Sequence, residues 1–177
     1  MECRRLLMVL VQVFISSCLL CIHQVASQNQ PNAPTCPTGW QMIVGQTGST
    51  CVWLSTNKAS WINAMSWCQV LGGHLVEYKS QNFNSQLANM IRYKQPGKYW
   101  IGLTNVENNF IYQWMTSKQV AFQLPMAAPP MLTFFKPGQP FGDKAKPCVN
   151  TDDKGEWLLD SCKTECFFVC QKNNQVK

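Results

Sequence analysis

The sequence predicts an α+β domain stapled by disulfides, and three observations carry that prediction. An apolar leader is followed by seven cysteines, which points to an oxidising compartment. Two stretches, from Ser60 and from Ser80, repeat apolar residues at helical spacing. From Tyr99 onward the pattern changes to short apolar runs separated by turn residues, the signature of strands.

Arg4 and Arg5 precede an apolar run from Leu6 to Ile22, interrupted only by Gln12, Ser16, Ser17 and cysteines. Val25-Ala26-Ser27 then offers the small residues that a signal peptidase reads. Residues 1–27 are predicted to be a signal peptide, 28–35 a flexible N-terminal tail, 36–171 the domain and 172–177 a C-terminal tail. The competing reading is an N-terminal membrane anchor, but the run is near the lower limit for spanning and lacks a charged stop-transfer flank. No later stretch is long and apolar enough to cross a bilayer, so a secreted, extracellular protein is expected.

The 177 residues carry a net charge of +6. The lysines are scattered and Arg92 is the only arginine after the leader, so a mildly basic surface is expected rather than nucleic-acid binding. Zinc is the rival use of Cys162, Cys166 and Cys170. No CxxC pair occurs and His74 is the only histidine after the leader, which disfavours it.

The elements follow in order. Trp40 to Val44 and Cys51 to Leu54 flank a turn-rich Gly45 to Thr50 and read as a hairpin. Trp61, Ala64, Met65, Cys68 and Leu71 share one face of a first helix capped by Ser60 and ended by Gly72-Gly73. Phe83, Leu87, Met90 and Ile91 form the stripe of a second, capped by Ser80 and stopped by Pro96-Gly97. Both stripes read as core. Strands are expected at Tyr99 to Leu103, Phe110 to Trp114, Val120 to Leu124, Glu156 to Leu159 and Phe167 to Cys170. Trp100 and Trp114, in the first two of these, are expected to be structural. Between Leu124 and Cys148 lies a long, proline-rich stretch of the kind that usually carries function.

This order of hairpin, helices, strands and cysteines resembles the C-type lectin-like family. Cys36-Pro37-Thr38-Gly39-Trp40 looks like its opening, Trp100-Ile101-Gly102-Leu103 its central strand, and Pro137-Gly138-Gln139-Pro140 the approach to its ligand loop. Trp157, five residues before Cys162, and the closing Phe168-Val169-Cys170 also match. The stretch from Cys51 to Lys58 looks most like the secreted invertebrate, perlucin-like members. The resemblance implies bridges Cys36–Cys51, Cys68–Cys170 and Cys148–Cys162, a pairing that cysteine spacing alone leaves open. Cys166 is then the odd one. A strand's period of two would bury it beside Phe168 and Cys170, whereas fraying would expose it to a second chain. A disulfide-linked homodimer through Cys166 is expected.

The resemblance also implies where calcium would sit: a Glu-Pro-Asn or Gln-Pro-Asp triplet, an acid before the third framework cysteine, and an Asn-Asp pair after the tryptophan. Here the triplet is Gln139-Pro140-Phe141, Lys146-Pro147 precede Cys148, and Leu158-Leu159 follow Trp157. Calcium takes 6–8 oxygen ligands, and phenylalanine and leucine offer no side-chain oxygen. No metal and no cofactor is expected, and calcium is disfavoured. Asp143, Asp152, Asp153, Glu156 and Asp160 cluster nearby, and Asp152 to Gly155 reads first as a polar turn. A displaced calcium site is the other reading of these acids.

The stretch from Gln119 to Phe135 has no charge. Met126, Pro129, Pro130 and Met131, with Gln139, Phe141 and Asp143, are the candidate ligand-loop residues, and Phe134 and Phe135 are expected to pack beneath them. The function expected is a non-enzymatic recognition module for an extracellular protein, matrix or glycan ligand. The alternative is a calcium-dependent lectin with a rearranged site. No Ser-His-Asp or paired-carboxylate arrangement is legible, and His74 is expected only to meet a helix end.

Overall fold

The computed structural model describes residues 35–45, 48–124, 134–139 and 144–173. Candidates Met126, Pro129, Pro130, Met131, Phe141 and Asp143 lie outside the described residues, as do the leader and all but Thr35 of the N-terminal tail.

A hairpin opens the chain, β1 (Gln41–Gly45) with β2 (Gly48–Leu54). Helix α1 (Trp61–Val70) and the two-residue β3 (His74–Leu75) follow, then helix α2 (Gln81–Lys94). The strands β4 (Tyr99–Thr104), β5 (Ile111–Trp114), β6 (Val120–Gln123), β7 (Cys148–Thr151), β8 (Trp157–Asp160) and β9 (Phe167–Asn173) complete it. The sheet order is β1-β2-β9-β4-β5-β6, with β7 between β4 and β8. Among the pairs of these strands, only β4 and β9 run parallel.

β4 is buried along its whole length because it separates two cores. Tyr99, Ile101 and Leu103 face one of them with α2, whereas Trp100 faces the other with α1, Cys68 and Cys170. This is the period-two alternation of a strand covered on both sides. Gly102 lies where the chain at Leu75 crosses: a Cβ there would stand 3.0 Å from the Leu75 carbonyl oxygen. Two indoles lock the layers. Trp61 Nε1 donates to the Ile101 carbonyl and Trp100 Nε1 to the Ala59 carbonyl, each at 2.9 Å.

Ser80 caps α2 by accepting from Phe83 N at 3.2 Å. Ser60 precedes α1 without a side-chain cap bond. Instead, Trp61 N donates to the Cys162 carbonyl, so tertiary contact does the work of the cap. β7 was not expected, since Cys-Val-Asn-Thr runs straight into two aspartates. Yet all four residues are buried, Asn150 without a hydrogen bond to either side-chain amide atom. β9 runs to Asn173, past the expected end of the domain at 171, because Thr50 and Cys51 continue to pair with it.

Three bridges are formed: Cys36–Cys51 from the segment before β1 to β2, Cys68–Cys170 from α1 to β9, and Cys148–Cys162 from β7 to the turn after β8. Cys166 does not fit the expected disulfide-linked homodimer. It is 4% exposed, and its backbone pairs both ways with Ala59. That bridge stops the fraying which exposure required. Burial pushes its thiol up to about 11, so little thiolate exists to attack a second chain.

Candidate functional site

β8 is the axis of the face where the sequence places the ligand loop. On one side it pairs with β7, Cys148 opposite Asp160 and Thr151 opposite Trp157. On the other side, residues 134–139 add a short parallel edge. Trp157 N donates to the Phe134 carbonyl at 2.7 Å, and Lys136 N to the Trp157 carbonyl at 3.0 Å. Pro137-Gly138 then turns the chain away, and Gln139 N donates to the Lys136 carbonyl. The next ladder donor, Leu159 N, is met by the Gln139 side chain, whose Oε1 accepts from it at 2.9 Å. Gln139 thus stands in for a backbone carbonyl where the edge ends.

Beneath this edge lies an aromatic floor. Trp157 meets Phe134 at 5.1 Å, Phe135 at 5.3 Å, Trp114 at 5.6 Å and Tyr78 at 5.7 Å between ring centroids, all edge-on. These are the separations that aromatic pairs favour. Trp157 Nε1 donates to Tyr78 Oη at 2.7 Å, and burial pushes the Tyr78 phenol far above its ordinary value. Phe134 and Phe135 therefore pack as core, as expected from the sequence.

The remaining candidates disperse. Leu159 turns into the core and Leu158 lies half-buried, so the two positions after the tryptophan present apolar side chains. Lys146 is exposed, held out by Pro147, whose carbonyl accepts from Thr104 Oγ1 and Asn105 N. Asp152 Oδ1 accepts from Lys154 N and Glu156 N, which makes it the organiser of a turn. Asp160 pairs with Lys98 at 3.0 Å. Burial alone would raise its carboxyl, but hydrogen bonds from Lys98, Thr164 and Ser161 hold it below the usual range. Among the described residues no three His, Cys, Asp or Glu side chains converge. His74 starts β3, and its Nδ1 lies 2.8 Å from the Leu75 carbonyl rather than at a helix end.

A second concave feature escaped the sequence reading. The C-terminal half of α2 and the hairpin flank an open groove of about 430 Å³ that includes Gln41, Asn89, Tyr93 and Lys94. The available signal was Tyr93, an aromatic off the helix's apolar stripe and therefore without a core position.

The sequence profile described as "Lectin C-type domain" matches residues 57–172. The chain belongs to the C-type lectin domain family. Hepatic lectin of Gallus gallus is 27% identical over 140 residues, which cover 75% of this chain and 58% of that relative. This C-type lectin domain thus spans little more than half of that protein. A perlucin-like protein of Mytilus galloprovincialis is 29% identical over 100 residues, covering 55% of this chain and 62% of its own. Among solved structures, the mouse scavenger receptor C-type lectin carbohydrate-recognition domain superposes with a TM-score of 0.65 at 22% identity. It covers 80% of this C-type lectin domain and 99% of the mouse one, a likeness of fold.

Proposed function

We propose that this C-type lectin domain is a secreted recognition module that binds an extracellular protein, matrix or glycan ligand without calcium. One observation carries the calcium half of the reading. The surviving ligand-type oxygen, Gln139 Oε1, is already bonded to Leu159 N, and the other ligand positions that the family pattern marks hold two leucines and a lysine. A calcium ion needs 6–8 oxygens, and Lys146 would repel it. Secretion is supported by the three bridges, which persist in oxidising compartments, and by the signal-like residues 1–27. No helix among the described residues is long and apolar enough to cross a membrane.

The test is a screen of the oxidised protein against immobilised glycans and matrix proteins, run in millimolar calcium and again in chelator. The same ligands should be retained in both. Binding that appears only with calcium would contradict this reading and favour the calcium-dependent lectin with a rearranged site.

A further inference from the structure

The groove beside α2 arises from a register within one helix face. Asn82, Gln86, Asn89 and Tyr93 recur at spacings of four, three and four, so they form one stripe along α2. The first two close against the hairpin. Gln86 Oε1 accepts from Val44 N, while Asn82 Nδ2 and Gln86 Nε2 both donate to the Val44 carbonyl. These amides occupy the edge of β1 and block addition of a peptide strand there. The last two make no such bond to the described residues of the hairpin. They open the groove together with Gln41, over an apolar floor of Leu54 and Met90.

The chemistry of the lining is specific. Tyr93 is 87% exposed, a ring face that the fold leaves open to a flat apolar surface. Gln41 and Asn89 bring amides, which can donate and accept at once and so match hydroxyl groups. Lys94 brings a cation, and no carboxylate is among the lining residues. Its Nζ donates to the Leu54 carbonyl and lies 5.9 Å from the Trp53 ring centroid, which leaves ammonium protons for a ligand. Desolvation lowers its pKa, so an anion brought beside it would restore what burial removes. The volume lies in the range of small-ligand sites, roughly 300–1,000 Å³.

We propose that this groove binds a uronic-acid unit of an extracellular polysaccharide: the pyranose face stacks on Tyr93, Asn89 and Gln41 take hydroxyls, and Lys94 pairs with the carboxylate. The proposal stands independently of what the β8 face binds. An acidic peptide is the rival occupant. It is disfavoured because the lining offers side-chain amides and an open ring, while the adjacent strand edge is already capped.

The experiment is calorimetric titration of the oxidised full chain, in chelator, with trigalacturonate. Its methyl ester, which keeps the sugar and removes the charge, and tetraglutamate are the comparators. Saturable one-to-one binding of trigalacturonate is expected, at least tenfold weaker for the ester and for the peptide. Tyr93→Ala should weaken it at least tenfold with an unchanged melting temperature, since that side chain is exposed. Lys94→Met should bring trigalacturonate down to the level of the ester. Should that variant misfold, the ester comparison on the wild type answers the same question. Absence of saturable binding, wild-type affinity in Tyr93→Ala, equal affinity for acid and ester, or equal affinity for tetraglutamate would each overturn the proposal.

Discussion

Cys166 and Gln139 show how much one side chain's surroundings decide. Cys166 shares a core with Phe168 and Cys170, and its neighbours Phe167 and Val169 face the other core. The native protein should therefore run as a monomer on a non-reducing gel, with one thiol that alkylating reagent reaches only after denaturant is added. Cys166→Ser should cost about 1–3 kcal/mol, the penalty for placing a hydroxyl among apolar neighbours. A dimer band that Cys166→Ser abolishes would contradict its burial. The alternation that buries Cys166 was legible in the sequence. The bridge to Ala59 that keeps it buried joins residues far apart in the chain and left no local mark. Gln139 is the converse case. Its residue type could be read as the ligand type that survives in a depleted set, but its bond to Leu159 N depends on where the Pro137-Gly138 turn ends the edge.

Elements with strong periodicity were legible, and those defined by their neighbours were not. The stripe Phe83, Leu87, Ile91 marked α2, and Tyr-Trp-Ile-Gly-Leu marked β4. β7 was missed because its polar Asn150 and Thr151 are buried only by being paired on both sides, by β4 and β8. α1 was found from one face, yet its opposite face is also apolar: Ile62, Trp67 and Val70 are exposed. Burial there is set by which side meets β4, and periodicity alone does not choose. The meeting is held by the crossed indole bonds. Trp100→Ala should remove both a buried side chain and the bond to the Ala59 carbonyl, costing about 3–5 kcal/mol. Urea unfolding of the purified variant measures this, or its failure to accumulate as folded protein does if the loss exceeds the protein's whole stability. A purified Trp100→Ala protein with wild-type stability would contradict the two-core packing.

At the scale of the molecule, covalent bridges fasten the segment before β1 to β2, α1 to β9, and β7 to the turn after β8. Cys68–Cys170 closes a loop of 102 residues, worth on the order of 4–5 kcal/mol by chain entropy. The β8 face is braced by an aromatic floor, the Gln139 side chain and a turn organised by Asp152. The cysteine order and the lost ligand types could be read in the sequence. The groove at α2 could not, because it depends on how far the hairpin reaches along the helix.

The direct measurement is the melting temperature of the oxidised protein in calcium, in chelator, and after reduction. A bound ion at 100 times its dissociation constant would add about 2.7 kcal/mol to the native state, several degrees for a domain of this size. The account predicts calcium and chelator curves within about 1 °C of each other, and a fall of more than roughly 10 °C on reduction. A chelator-induced drop of several degrees, restored by calcium, would contradict it.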